Sequence, residues 1–272
     1  MTATTSAGRG RARRHPPELW QVPVLRTAMV TPAMARITVG GPALANFPGG
    51  GGDQHVVLYF YGDVPLPEPL TLTSARTMLG QVRPAMRSYT VRRHDPVGHE
   101  LDFDFVLHGD AGVASAWATR VGVGERLILV GPSPAYQPDP AVQTHVFVGD
   151  ETALPAIGSM LARFPATATA FVLIEVADAA EEQPLPTPAQ ARITWLHRDG
   201  RPAGTPDPLV AALRTLGPLG GDGGGEVAVW AAGERTAMHA VRAHLLDESG
   251  LDRRQVRTTM YWRRGQVGTA GP

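Results

Sequence analysis

The hydrophobic pattern of this chain changes once, at the proline-rich stretch "SPAYQPDPAVQ", and that change limits the folds open to it. Before the stretch, from Leu19 to about Val130, the strong segments read as strands: "WQVPVLRTAMV", "MARITVGG", "DQHVVLYFY", "MRSYTVRR", "ELDFDFVLHG" and "ERLILVGP". They are rich in β-branched and aromatic residues, and Gly- and Pro-rich connectors separate them. Six such strands with turn punctuation predict a small antiparallel β-barrel. A short helix over roughly Val113 to Arg120 interrupts them. After the stretch, strands ("THVFVGD", "ATAFVLIEV", "ARITWLHRDG", "GEVAVWAAGE", "QVRTTMYWRRG") alternate with helices ("ETALPAIGSMLARF", "PDPLVAALRTL", "RTAMHAVRAHLLDESG"). Alternation of this kind predicts a mainly parallel sheet covered on both faces. The expected organisation is a tail over 1–18, a β-barrel domain over 19–138 and an α/β domain over 142–266.

Composition removes several kinds of chemistry. The chain has no cysteine, so thiol catalysis, disulfides and cysteine-held metal clusters are excluded. All 25 basic residues are arginine, which excludes a lysine nucleophile. Formal net charge is zero, so nothing argues for bulk nucleic-acid or membrane binding. The arginine-rich N-terminus, "MTATTSAGRGRARRHPP", lacks an apolar core and reads as a disordered tail, not a secretory signal; a nucleic-acid-binding arm is the minor alternative. A cytoplasmic monomer is the expectation. The nine histidines form no recognisable ligand motif, so no metal site is expected. Redox work, if done, must run on a bound organic cofactor.

Three stretches carry possible chemistry. "RSYTVRR" alternates Arg87, Tyr89, Val91 and Arg93 against Ser88, Thr90 and Arg92, and neither face is apolar. Arg87 offers charge to a diphosphate, Tyr89 a flat ring, and Thr90 a hydrogen bond to a heteroaromatic edge. "HGDAGVASAWA" places small residues before a helix start, where a diphosphate can approach the backbone and Ser115 can donate. "VFVGDETALPAI" and "WAAGE" are two turns at strand ends of the α/β unit, together a candidate nucleotide crevice, although neither a GxGxxG nor a Walker lysine is present.

In combination, "MRSYTVRR", "DFVLHGDAGVASAWA", "GERLILVGP", "VGDETALPAI", "WAAGE" and the terminal "YWRRG", in that order over roughly residues 20 to 265, resemble the siderophore-interacting proteins, or ferric-siderophore reductases, of the ferredoxin–NADP reductase superfamily. The resemblance implies FAD and NADPH or NADH as cofactors and a ferric siderophore as substrate. It implies that Arg87 contacts the FAD phosphates, Tyr89 stacks on the isoalloxazine and Thr90 reaches its N5/O4 edge, with Ser88 and Val91 alongside. Val106 and His108 would line the ribityl and diphosphate region. Asp110, Gly112, Ala114 and Ser115 would bind the diphosphate and adenosine, with Trp117 nearby. Gly149, Asp150, Thr152, Ala153, Gly233 and Glu234 would form the nicotinamide-nucleotide crevice, with Tyr261 and Trp262 at the flavin edge or the domain interface.

Arg92, Arg93, Arg263 and Arg264 are candidates for a groove that attracts an anionic iron complex, with His55 as a further one. Arg198, Arg201 and Arg235 are each candidates for a 2′-phosphate. The chain departs from the family at Met260, where glycine is common, and in lacking lysine. Electrons would pass from NAD(P)H through flavin to Fe(III), releasing Fe(II). The alternatives are a general flavin or flavodoxin-type reductase with a protein acceptor, and a non-catalytic flavin- or siderophore-binding protein.

Overall fold

The computed structural model describes residues 16–78, 82–109, 112–133, 136–139, 141–217, 219 and 226–266. Its first half is one antiparallel sheet of β1 (Glu18–Thr31), β2 (Met34–Gly40), β3 (His55–Phe60), β4 (Ala85–Thr90), β5 (Arg93–Asp95), β6 (Glu100–Val106) and β7 (Arg126–Gly131). The order across the sheet is β4-β3-β7-β1-β2-β6-β5. The two edge strands, β4 and β5, do not pair with each other, so the sheet curls into a half-barrel open along β4. Helices α1 (Leu72–Met78) and α2 (Val113–Arg120) are inserted in its connections. The predicted barrel is thus present with seven strands, not six. The stretch expected as one strand breaks at residues 91–92, where the Val91 N–H donates to Gln54 O (2.8 Å) and the Arg92 N–H to Asp102 O (2.9 Å).

Burial explains the odd composition of this sheet. On β6, Leu101, Phe103 and Phe105 are fully buried, as their alternation demands, yet Asp102 and Asp104 on the opposite face are buried too. Cross-strand partners neutralise them. Arg36 of β2, directly opposite Asp104, forms a two-pronged ion pair with it (2.7 and 2.8 Å). Asp102 takes the Thr38 hydroxyl (2.7 Å) and the Arg93 Nε (2.6 Å). Paired and hydrogen-bonded, these carboxylates are tolerated out of water.

The second half is a fully parallel sheet of β8 (Thr144–Asp150), β9 (Thr169–Val176), β10 (Gln190–His197), β11 (Val227–Glu234) and β12 (Val256–Trp262), in the order β10-β9-β8-β11-β12. Helices α3 (Leu154–Leu161), α4 (Asp207–Thr215) and α5 (Arg235–Ala243) supply the connections, and apolar clusters cover both faces of the sheet. Pro155 sits in the first turn of α3, where its missing N–H costs nothing. A π-helical turn over 244–248 extends α5, and Gly250 (φ +66°) ends it in a left-handed conformation.

The halves are docked by specific contacts. Met34 of β2 joins the core built on Phe147 and Trp230. The Glu181 carboxylate accepts the Thr31 hydroxyl (2.5 Å) and the Ala33 N–H (2.8 Å). Buried Asp53 accepts the Tyr136 N–H (2.6 Å) and the Trp230 indole N–H (3.2 Å). Replacing Asp104 with alanine leaves Arg36 and Arg92 without their partner. We expect a loss of roughly 3 kcal/mol in unfolding free energy, read as a lower urea midpoint with an unchanged slope.

Candidate functional site

The open edge at β4 places most of the first motif. Arg87 and Tyr89 lie opposite Leu58 and Val56, two fully buried core residues, so both side chains point toward the barrel interior. The Tyr89 ring packs on Phe105 with centroids 4.2 Å apart, and Trp117 of α2 continues the stack to Phe105 and Phe60 at 5.5 Å each. Burial pushes the Tyr89 phenol well above its ordinary range. Arg87 is half-buried, donates to the carbonyl of Met86 (2.8 Å), and has no carboxylate partner among the described residues. Ser88 is exposed on the other face, and Val91 is buried in the barrel core. Thr90, on the same face as Ser88, is buried, and its hydroxyl lies near the Tyr261 phenol of β12. Tyr261 also meets Trp230 edge-on, with centroids 6.3 Å apart. The strand with no apolar face therefore runs from an open edge into the junction of the two sheets.

The second motif folds on itself to present a helix start. The His108 N–H donates to Ser115 Oγ (3.1 Å), and the Ser115 hydroxyl donates to Gly109 O (3.0 Å). Ser115 thus shapes the turn with the hydroxyl that the sequence assigns to a phosphate. A Cβ on Gly112 would lie 2.5 Å from the ring of exposed His108, so a larger residue there would make that ring move. Ala114 is buried beneath, and α2 opens without a side-chain cap or an acid in its first turn among the described residues. Val106, opposite Met34, is half-buried against the second core. Asp110 lies outside the described residues.

These features suit FAD. An arginine with no carboxylate partner among the described residues and the uncapped start of an eight-residue helix form a donor set suited to a diphosphate. A free strand edge beside an aromatic wall suits a flat polar ring. The residues fit the group.

The third site lies at the carboxyl ends of the parallel strands, between β8 and β11, where the strand order reverses. A Cβ on Gly149 would lie 2.8 Å from Ala232 O, which allows β8 and β11 to close tightly; Ala153 is buried behind it. Asp150 occupies the centre. It accepts the Thr152 N–H (2.9 Å) and hydroxyl (2.5 Å), the Glu234 N–H (3.0 Å) and the Trp262 indole N–H (2.7 Å). Gly233, at φ +154°, leaves room for that carboxylate: a Cβ there would lie 2.7 Å from Asp150 Oδ2. Burial, then the charge of Glu151, pushes Asp150 up to about 6 against the opposing donors. Glu234 caps α5 through the N–H groups of Thr236 and Ala237. Burial works against its charge, but the N–H groups of Ala237, Arg264 and Thr236 hold it below its usual range.

The four arginines read as a substrate groove are in different settings. Arg93 pairs with Asp102 (2.6 Å), Glu100 (2.8 Å) and Asp95 (3.3 Å). Arg92 lies between the halves, 3.8 Å from Asp104 and against Gly158 of α3. Arg264 is tied to Ala203 O and Thr205. Arg263 is exposed with no carboxylate partner among the described residues, and Met260 is exposed nearby on β12. His55 pairs with Thr90 across β3 and β4. The sequence reading missed Asp53, whose contacts reach Trp230, 177 residues away, and the Glu151–Glu175–Arg198 cluster described below. Neither has a local motif.

Residues 23–136 match the family described as siderophore-interacting FAD-binding domain, and residues 142–265 match the siderophore-interacting protein family. The chain belongs to the siderophore-interacting protein family. It is 37% identical to an uncharacterized protein of Mycobacterium tuberculosis, over 90% of each chain. It is 30% identical to ferric vibriobactin reductase of Vibrio cholerae, over 89% of this chain and 88% of that one. A siderophore utilization protein from T. fusca superposes with a TM-score of 0.80 at 35% identity, covering 93% of this chain and 96% of that one. The paired half-barrel and parallel sheet are those of the ferredoxin–NADP reductase-like fold.

Arg87→Ala is expected to weaken FAD binding by about tenfold or more, as removal of a charge-assisted contact does, with the fold intact by circular dichroism; full flavin occupancy after dialysis would contradict this role. Asp150 yields a second expectation. Its carboxyl rises from 3.8 to about 6 on folding. The folded state therefore holds the proton more tightly, and this group's contribution to stability falls as pH rises through that window, then levels off. Asp150→Asn should flatten that part of the profile, measured as urea midpoints at about pH 4, 5 and 7.

Proposed function

We propose that the protein is an FAD-dependent reductase of ferric siderophores that draws electrons from a nicotinamide nucleotide and releases Fe(II) for use in the cytoplasm. The barrel unit is assigned to residues 19–138 and the nucleotide unit to 142–266. The observation that carries this reading is β4 itself. Arg87 is held without a carboxylate partner among the described residues, Tyr89 is stacked into the barrel beside it, and Thr90 lies next to Tyr261 of the other sheet. One strand thus joins a diphosphate-type site to the mouth of the nucleotide crevice. Family membership and the likeness to ferric vibriobactin reductase support the same reading.

Each residue would have a physical task. Arg87 and the N–H groups opening α2 would neutralise and orient the FAD diphosphate. Tyr89, backed by Phe105 and Trp117, would give the ring system a rigid apolar wall. Thr90 and Tyr261 would present hydroxyls at the junction of the sheets, where water is restricted. When bound, FAD supplies the conversion of a two-electron hydride equivalent into the single electrons that Fe(III) accepts. Fe(II) is held less strongly by hard oxygen ligands, so reduction frees the metal. Arg263, exposed and without a carboxylate partner among the described residues, would draw an anionic iron complex toward this edge.

The test is a steady-state assay of FAD-loaded protein with nicotinamide nucleotide, ferric catecholate or hydroxamate, and a dye specific for Fe(II). Dye colour should appear with nucleotide oxidation and depend on all components. Nucleotide oxidation without Fe(II) formation, or faster turnover with flavodoxin as acceptor, would overturn the assignment.

A further inference from the structure

Resting on that reading, we infer that the nucleotide crevice is built to take NADH and to reject the 2′-phosphate of NADPH, and that Glu151 sets this preference through Arg198. In a sheet of this order, the ribose next to the adenine is read at the carboxyl end of the strand beside the first one, here β9. An arginine there accepts a 2′-phosphate, whereas acidic residues favour a free 2′-hydroxyl. Arg198 follows β10, which pairs with β9, and is the arginine best placed for that phosphate. It is committed elsewhere. Both its terminal nitrogens bind the Glu151 carboxylate at 2.7 Å, Nη1 also lies 3.4 Å from Glu175, and the residue is only 8% exposed.

The surroundings deepen the bias. Glu175 pairs with Asp150 in the β8–β9 register and is buried, and its Oε2 has no hydrogen-bond partner among the described residues. Asp150, Glu151, Glu175 and Glu234 therefore lie at the ends of three adjacent strands, and of these Glu151 and Glu175 flank the buried Arg198. Next along the chain, Asp178 caps the turn after β9 with its carboxylate, and Glu182 pairs with His197. Arg201 folds its guanidinium back onto the carbonyls of His197 and Arg198. Arg235 has no carboxylate partner among the described residues, but it follows β11, on the other side of the switch point. A dianionic phosphate brought to the β9 end would meet these carboxylates in a region of low polarity, where like charges repel strongly.

The experiment compares binding and turnover on the same FAD-loaded protein. Calorimetry measures the affinities of 5′-AMP and 2′,5′-ADP, which differ only in the 2′-phosphate. Steady-state rates give kcat/KM for NADH and NADPH. NADH is expected to be favoured by more than about tenfold, with 2′,5′-ADP binding no tighter than 5′-AMP. Glu151→Gln, similar in shape but uncharged, releases Arg198. It is expected to narrow both ratios by about tenfold, chiefly through tighter binding of the 2′-phosphate compounds. Arg235→Ala is expected to leave the ratios where they are. NADPH preferred in the unmodified protein, a ratio indifferent to Glu151→Gln, or a ratio that collapses in Arg201→Ala or Arg235→Ala would overturn the inference and leave the reductase reading standing. Failure of every nucleotide to bind or react would overturn both.

Discussion

Everything proposed for this chain depends on how the half-barrel and the parallel sheet are held together, and one buried carboxylate stands at that junction. Asp53 precedes β3, bonds the backbone of Tyr136 in the connecting segment and the indole of Trp230 on β11, and lies 4.0 Å from Arg257 of β12. Arg257 in turn lies over the Tyr136 ring, 5.5 Å from its centroid. A charge buried at such a place is stable only while its partners stay in position, so the pairing fixes the angle between the sheets. The Thr90–Tyr261 contact and the Glu181 bonds to the β1–β2 turn add two more fixed points. Small residues permit the approach: a side chain on Gly158 would run into the Arg92 guanidinium. The consequence for function is that β4 and β12 meet at a defined separation.

The architecture was legible because the periodicities are strong. β9 is a continuous apolar run because it is covered on both faces, and β6 alternates because one side fills the barrel. What stayed hidden are the pairings between distant positions. Asp102 and Asp104 look like a solvated face in sequence, and Arg92 and Arg93 look like free cations. In the fold these acids and arginines neutralise one another from neighbouring strands. Arg87 sits on the same stretch and has no such partner among the described residues. That difference decides which arginine is free for a ligand, and it depends on a strand break at residues 91–92 that no local propensity announces.

The crevice shows a similar division. The small and polar residues at the ends of β8 and β11 mark a turn that a nucleotide can approach, and this was readable from composition. The sign of the electrostatic field was not. Glu151, Glu175 and Arg198 come from three separate elements, and Arg198 in sequence is as good a phosphate ligand as Arg201 or Arg235. Only the bidentate pair with Glu151 shows that its charge is already committed.

The central claim is that FAD lies along the open β4 edge with its diphosphate at the start of α2. Amide hydrogen exchange with and without FAD tests it most directly. The account predicts slowed exchange over residues 87–91 and 112–116, with β2 inside the antiparallel sheet and the edge strand β10 unchanged. Protection confined to the ends of β8 and β11, with β4 and α2 exchanging as before, would contradict it.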